Sequence, residues 1–200
     1  GSCLYVDGDL QIPLHSGQFL IFLSSKPISI SHIQAGSDVV LLSKKVTTPY
    51  TDILPDHPLC LDQDAYKVSK PWGYEYWITG AEPLYDCVLK FISITSGFRT
   101  SLQVHLEKYE SNYLVSGEAT FNYSPESYQP SISSSSYPLK SIHLDRPQCI
   151  NVPPLTIHQL EALSDISLIE ASTNHLDDVI RLQDDSGRSH GRIESEHSIS

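Results

Sequence analysis

The sequence has little positive charge, no long apolar run and no closely spaced cysteines, and each absence excludes a class of protein. Acidic residues outnumber basic ones by 24 to 13, so no basic surface is available to neutralise the phosphates of a nucleic acid. No apolar run approaches the roughly 18 residues that a membrane-spanning helix needs. The cysteines form no CxxC pair, which favours reduced thiols and a cytoplasmic protein rather than a disulfide framework. They are Cys3, Cys60, Cys87 and Cys149.

The sequence does contain many short runs rich in Val, Ile, Leu, Phe and Tyr, which Gly, Pro, Asn, Asp and Ser separate. Such runs are typical of β-strands, and their close spacing favours a sandwich or barrel over alternating strands and helices. Only residues 177–185 are expected to form a helical turn. The predicted strands are 17–23, 27–33, 38–43, 74–78, 85–95, 101–106, 111–123, 139–144, 148–152, 157–163 and 165–172.

Composition divides the chain into three parts. Residues 1–66 form a strand-rich extension, which is expected to pack on the main unit because so short a segment can hardly hold a core of its own. Residues 67–188 form the main domain, and residues 189–200 form a polar tail. Within the main domain the Ser- and Pro-rich segment 124–138 predicts a long, mobile loop. The tail is expected to fray.

Four polar residues suggest a metal site. Gln103 and His105 lie two positions apart, so on a strand they share a face, and Glu110 follows shortly after. His158 lies at the start of a later predicted strand. Two imidazoles, a carboxylate and an amide oxygen suit a divalent first-row metal and leave coordination positions for water or substrate. The alternative is that these are ordinary hydrogen-bonded or exposed side chains.

The same residues carry a resemblance to the cupins. The pattern G-x5-Q-x-H-x4-E-x6-G from Gly97 to Gly117 is similar to the first cupin motif, with Gln in place of the usual first His. The stretch PPLTIHQL around His158 resembles the second. From about Lys70 to Arg188 the chain more specifically resembles type II mannose-6-phosphate isomerases, which also occur as the C-terminal domain of bifunctional mannose-1-phosphate guanylyltransferases. The stretches KPWG, VLKFISI, GFRTSLQVH and DDVIRLQDDSGR carry this second resemblance.

The resemblance implies a cupin double-stranded β-helix, or jelly-roll barrel, and a metal-dependent isomerase that interconverts an aldose and a ketose phosphate. Zinc is the metal expected first, with manganese, iron or nickel as alternatives, and a homodimer is expected. Phosphorylated sugar is the expected small-molecule partner. Lys70 stands where the family usually has Arg, so bidentate phosphate recognition is lost there. The expected roles are metal ligation by Gln103, His105, Glu110 and His158, catalysis by Lys90, Arg181 and Glu170, and substrate binding by Lys70 and Arg99.

Two further functions stay open for this barrel. One is a non-haem iron oxygenase, because cupins also hold iron with open coordination positions. The other is a non-catalytic module that binds a sugar. Lys90 and Arg181 favour the isomerase, since neither has a reason to recur in an oxygenase. The catalytic base is left between Lys90 and Glu170.

Overall fold

The computed structural model describes residues 67–79 and 87–197, together with the backbone of short strands nearer the N-terminus. The contacts within the chain form two compact units, Gly1–Ala65 and Tyr66–Ser200. The strands of the first unit are β1 Ser2–Asp7, β2 Leu10–His15, β3 Phe19–Ile21, β4 Ser29–Ser31 and β5 Leu59–Leu61. Of these, β1, β2 and β4 form one antiparallel sheet, and β3 pairs with β5.

The strand predicted at 38–43 lies outside the described residues. The packing of residues 1–66 on the main unit stays a prediction, and so does the homodimer. Among the described residues, no helix is both long and apolar enough to cross a membrane.

The second unit consists of two antiparallel sheets. The strands are β6 Lys67–Lys70, β7 Gly73–Thr79, β8 Cys87–Ile94, β9 Leu102–Val104, β10 Glu110–Ser116, β11 Ala119–Ser127, β12 Lys140–Leu144, β13 Gln148–Val152, β14 Thr156–Ala162, β15 Ile166–Thr173 and β16 Ile180–Gln183. One sheet has the order β13-β10-β15-β8-β7-β6, and the other has the order β12-β11-β14-β9-β16. A short 3-10 helix, Ser134–Ser136, lies between β11 and β12, and a second, Glu194–Glu196, follows β16. The prediction of an all-β fold is confirmed.

The strand β15 shows how this unit divides its interior. Alternate residues of β15 are buried along its whole length, as expected for a strand with one face toward a core. Ile166 and Leu168 enter an apolar cluster with Ile94 of β8 and Phe121 of β11. Burial of each such side chain contributes about 1.5–3 kcal/mol. Further along the same face the buried residues are Glu170 and Ser172, so one end of the interior is apolar and the other is polar.

Two predicted elements are corrected by the structure. The predicted strand 111–123 is interrupted at Gly117, where the chain turns from β10 into β11. Gly117 has φ +87°, and a Cβ there would lie 2.3 Å from the backbone oxygen of Asp165, so only glycine fits this turn. The segment 177–185 forms no helical turn, because Ile180–Gln183 pairs with β9 as an edge strand. Its apolar residues pack on Val104 and Ile157 instead of lining one side of a helix.

Two segments expected to be loose are anchored. The strand β11 runs on to Ser127, which shortens the loop predicted at 124–138. Within that loop Tyr137 is buried, and its hydroxyl accepts a hydrogen bond from the Gln129 N–H at 2.7 Å and donates one to the Gln129 carbonyl at 3.1 Å. The described part of the polar tail, residues 189–197, is held too, since Glu196 forms an ion pair with Lys70 at 2.8 Å. The strand β6, in a region where the sequence predicts no strand, supplies that lysine.

Candidate metal centre

Strand register brings the candidate residues together in two rows that face each other across the interior. In the six-stranded sheet, Lys90 of β8 lies opposite Glu170 of β15, and Glu170 lies opposite Asn112 of β10. In the five-stranded sheet, Gln103 of β9 lies opposite His158 of β14 on one side and Arg181 of β16 on the other. All six of these residues line one cavity. The cavity is therefore built by pairing between strands distant in sequence.

Three of the predicted ligands form a buried cluster at one side of this cavity. His105, Glu110 and His158 each offer an atom that could hold a metal, and these atoms lie within 4.8 Å of one another. The Nε2 atoms of His105 and His158 are 3.5 and 3.1 Å from the Glu110 carboxylate oxygens. Two ligands that are each about 2.1 Å from one ion can lie at most about 4.2 Å apart. Both contacts with Glu110 fall within that limit.

Backbone carbonyls fix the orientation of both imidazoles. His105 Nδ1 contacts the carbonyl oxygen of Asp178, and His158 Nδ1 lies 3.0 Å from the carbonyl oxygen of Thr156. Because a carbonyl oxygen only accepts, each Nδ1 carries the proton and donates it. In the neutral ring the Nε2 lone pair then points into the cluster. A hydrogen bond of this kind from the second ring nitrogen is the usual support of a metal-binding histidine.

The cluster therefore needs a positive charge at its centre. Burial raises the pKa of the Glu110 carboxyl, but the Lys108 ammonium and the contacts with His105 and His158 together outweigh this and hold the pKa well below 4.5, so Glu110 is an anion. With both Nδ1 atoms protonated, the lone pairs of two imidazoles and a carboxylate face one another at close range. Either a proton on an imidazole or a metal cation can offset that repulsion. The donor set fits a divalent metal.

Gln103 brings a side-chain amide to the same cluster. Its Nε2 lies 3.5 Å from His105 Nε2 and 3.4 Å from His158 Nε2, and its Oε1 accepts a hydrogen bond from Ser101 Oγ at 2.9 Å. A half-turn of the amide exchanges the two atoms, and the Ser101 hydroxyl can accept from Nε2 as readily as it donates to Oε1. After that half-turn the amide oxygen faces the cluster as a fourth ligand atom.

The position of Lys108 in this site was not predicted from the sequence. This buried lysine lies between two carboxylates of the six-stranded sheet, with Nζ 2.7 Å from Glu110 Oε2 and 2.8 Å from Glu170 Oε1. Burial lowers the pKa of its ammonium, but the carboxylates of Glu110 and Glu170 outweigh this and raise the pKa above 10.5. Lys108 is thus a fixed cation. In sequence it lies in a short polar connection, LEKY, where a surface lysine is the usual expectation.

A chain of alternating charges continues from Lys108 along the cavity. Lys90 lies 3.8 Å from Glu170 and 3.6 Å from Glu75, and its ammonium is 4.3 Å from the centre of the Trp77 ring. Burial raises the pKa of the Glu75 carboxyl, but Lys90 and Lys70, with the Trp77 hydrogen bond and Lys108, together outweigh it and hold the pKa below 4.5. Alternate strand positions give Glu75 and Trp77 the same inward face, a signal that the sequence contains in the run GYEYW.

The remaining three candidates lie in different places. Lys70 lines the cavity, with Nζ 3.8 Å from Glu75 Oε2. Arg181 lines the cavity, and its Nη1 donates to the carbonyl oxygens of Ser189 and Gly191. Burial, and then the charge of Arg188, lowers the pKa of its guanidinium. Arg99 is not brought to the cavity. It is 36% exposed and forms a two-pronged ion pair with Asp185, at 2.7 and 2.8 Å.

Solved structures similar to this chain support its fold, and their low sequence identity supports no statement about its function. The oxalate decarboxylase of Lactobacillus farciminis, solved as a formate complex, superposes over 64% of this chain with a TM-score of 0.50 and 16% identity. A point mutant of the Bacillus subtilis oxalate decarboxylase superposes over 69% with a TM-score of 0.50 and 13% identity. A cupin 2 domain-containing protein from Halorhodospira halophila covers 54% of this chain and 67% of its own, with a TM-score of 0.43 and 15% identity.

The two oxalate decarboxylases are much longer than the matched region, which spans 37% and 35% of their chains. No protein-family model and no curated protein matches the sequence.

Proposed function

We propose, on the premise that this chain has the cupin fold, that it is a metal-dependent sugar-phosphate isomerase. The reaction proposed is interconversion of an aldose and a ketose phosphate, with mannose 6-phosphate and fructose 6-phosphate as the first candidates. One observation carries the proposal, namely that the His105–Glu110–His158 cluster shares a cavity with a carboxylate between two lysines, Glu170 between Lys90 and Lys108. The resemblance of the sequence to type II mannose-6-phosphate isomerases supports the choice of substrate.

The ligands of the metal in this proposal are Gln103, His105, Glu110 and His158. Once bound, a divalent ion, zinc first, would supply a Lewis acid that polarises the carbonyl and hydroxyl oxygens of the sugar. The half-turn of the Gln103 amide would present its oxygen to that ion.

The isomerisation moves one proton between adjacent carbons of the sugar, and Glu170 is our candidate for the group that moves it. Its Oε1 accepts hydrogen bonds from Lys108 at 2.8 Å and from Ser172 Oγ at 3.1 Å, which fix the carboxylate in place. Lys90 is the other candidate base. Its position between two carboxylates and over the Trp77 ring suits a cation instead.

The cations then have a separate role. Proton removal next to a carbonyl leaves negative charge on the sugar oxygens, and preorganised positive groups in a buried site stabilise such charge most effectively. Lys90 and Lys108 lie on either side of the proposed base, and Arg181 faces the same cavity from the other sheet. We assign the phosphate of the substrate to the end of the cavity where Lys70 and Arg181 lie.

The test is hydrogen exchange in deuterated water. The protein is loaded in turn with zinc, manganese, nickel or iron, and the C2 proton of mannose 6-phosphate is followed by NMR. We expect exchange with at least one metal and its loss in Glu170→Gln, with metal content unchanged. No exchange with any metal and no thermal shift with any sugar phosphate would favour the sugar-binding module. Oxygen consumption by the iron-loaded protein would favour the oxygenase.

A further inference from the structure

The last described residues lie across the proposed phosphate end of the cavity. Arg192, Ile193 and His197 line the same cavity as the metal cluster. The His197 ring meets the Trp77 ring edge-on, with 5.0 Å between centroids. Residues 189–197, called the strap below, therefore cover part of the cavity that a substrate would need.

Glu196 places a carboxylate from the strap on two buried cations. Its Oε2 accepts a hydrogen bond from Lys70 Nζ at 2.8 Å, and its Oε1 lies 3.4 Å from Arg188 Nη1. The side chains of Lys70, Arg188 and Glu196 are only 9%, 10% and 12% exposed. An ion pair this well sheltered is screened much less by salt than a surface pair. Lys70 and Arg188 thus form a cationic site that already holds the Glu196 carboxylate, and Asp184 pairs with Arg188 as well, with 2.7 Å between Nη2 and Oδ2.

The same end of the cavity has an unused donor. Arg181 Nε is buried, and within the described residues it has no hydrogen-bond acceptor. A buried N–H without an acceptor is costly, and the cost is higher for a charged group. The two carbonyls that Arg181 Nη1 contacts, those of Ser189 and Gly191, belong to the strap itself. An incoming oxyanion would offer Arg181 the acceptor that it lacks.

The strap is held mainly by polar contacts. Its 3-10 helix, Glu194–Glu196, contains no buried residue and has no side-chain cap at its N-terminus. Gly187 and Gly191 adopt left-handed conformations, with φ of 67° and 73°, and they bend the chain just before and within the strap. Little apolar burial would be lost if residues 192–197 moved away, and the Glu196 ion pairs hold that end of the strap. Residues 189–191 are held separately, because Arg181 donates to all three of them and the Gly191 N–H donates to the Val179 carbonyl.

We propose that Glu196 is a built-in occupant of an oxyanion site formed by Lys70, Arg188 and Arg181, and that a phosphate group displaces it. Binding of the ligand then releases residues 192–197 of the strap from the cavity, and they return when the ligand leaves. A phosphate dianion carries more charge and more acceptor oxygens than a carboxylate, so it can satisfy Arg181 as well as the two cations. This inference takes from the proposed function only that the ligand is a phosphorylated sugar.

The experiment titrates the full chain with inorganic phosphate and follows tryptophan fluorescence. Trp77 contacts His197, whereas Trp72, the other tryptophan, is part of the apolar core cluster. Phosphate should change the fluorescence of the wild type, and the change should disappear in Trp77→Phe. Glu196→Gln should bind phosphate about fivefold more tightly or better, since the competing charge is gone. The matched control Glu194→Gln, on the same turn but 82% exposed at its side chain, should bind phosphate like the wild type.

Three results would overturn the inference. The first is a phosphate affinity of Glu196→Gln that is equal to or weaker than that of the wild type. The second is phosphate binding without a change in Trp77 fluorescence. The third is the absence of phosphate binding by both the wild type and Glu196→Gln. Lys70→Gln added to Glu196→Gln should remove the gain, which ties it to this site rather than to a metal. Inorganic phosphate undergoes no isomerisation. The inference about the strap can therefore hold while the hydrogen-exchange test of the proposed function fails, and the proposed function can hold while phosphate leaves the strap in place.

Discussion

Lys108 and Glu110 form a buried ion pair, with Nζ 2.7 Å from Oε2, and this pair joins the two halves of the proposed active site. Glu110 belongs to the candidate metal cluster, and the same ammonium also contacts Glu170. One cation thereby holds a metal ligand and the proposed base at a fixed separation. Lys108 is accordingly a positioning residue, since it acts through the two carboxylates.

Replacing Lys108 by Gln should weaken metal binding and slow hydrogen exchange together. The substitution removes the charge that keeps Glu110 anionic, and loss of such a supporting contact typically lowers metal affinity about tenfold to a hundredfold. Zinc affinity is measured by competition with a chromophoric chelator, with thermal unfolding as the check on folding. Lys108→Arg, which keeps the charge, should retain more of the affinity. Unchanged zinc affinity in Lys108→Gln would contradict this role.

Arg181 and Arg99 offer a matched comparison of two arginines expected to contact substrate. Arg181→Gln should keep its metal and lose substrate affinity or turnover, since the side chain lines the cavity. Arg99→Gln should change neither property much, because its partner Asp185 is exposed and their contact lies on the surface. Metal analysis and exchange kinetics on both variants check this. Equal losses of exchange in the two variants would show that the cavity extends to Arg99.

The metal cluster could be anticipated because its signal is local. Gln103, His105 and Glu110 lie within eight residues, and His158 follows a double proline in a recognisable motif. The split of the predicted strand at 111–123 was less accessible. Ser116-Gly117 sits inside an otherwise strand-like run, and only the close approach of the Asp165 carbonyl reveals the turn.

The sequence alone predicts neither the row of ion pairs along the cavity nor the position of the strap, because these contacts join residues that lie far apart in the chain. Lys108 and Glu196 look like surface residues in a polar context, and each is sheltered because an opposite charge from a distant part of the chain meets it, Glu170 for Lys108 and Lys70 for Glu196. The prediction of a helical turn around Arg181 was wrong for a different reason. The pattern of that segment suits one helical turn as well as an edge strand, and pairing with β9 decides between the two.

Glu75 should give the protein a recognisable loss of stability in acid. Its pKa lies below 4.5 in the folded chain, so its contribution to the free energy of unfolding is fully present above 4.5 and is lost as the pH falls through the folded value. Glu75→Gln should therefore be less stable than the wild type at neutral pH, by about 2 kcal/mol or more for a buried charge pair. Denaturant unfolding at neutral and acidic pH measures the difference, which should shrink below 4.5. A difference independent of pH would contradict the ion-pair account.

The most direct measurement for the central claim is the metal content of the pure protein after zinc loading and exhaustive dialysis. We expect about one zinc ion per chain in the wild type, and close to none in His105→Ala or His158→Ala with the fold retained. His143→Ala, at a histidine on β12 that is 53% exposed at its side chain, should keep its zinc. A wild type that retains no divalent metal, or a His158→Ala variant that retains as much as the wild type, would contradict the metal centre.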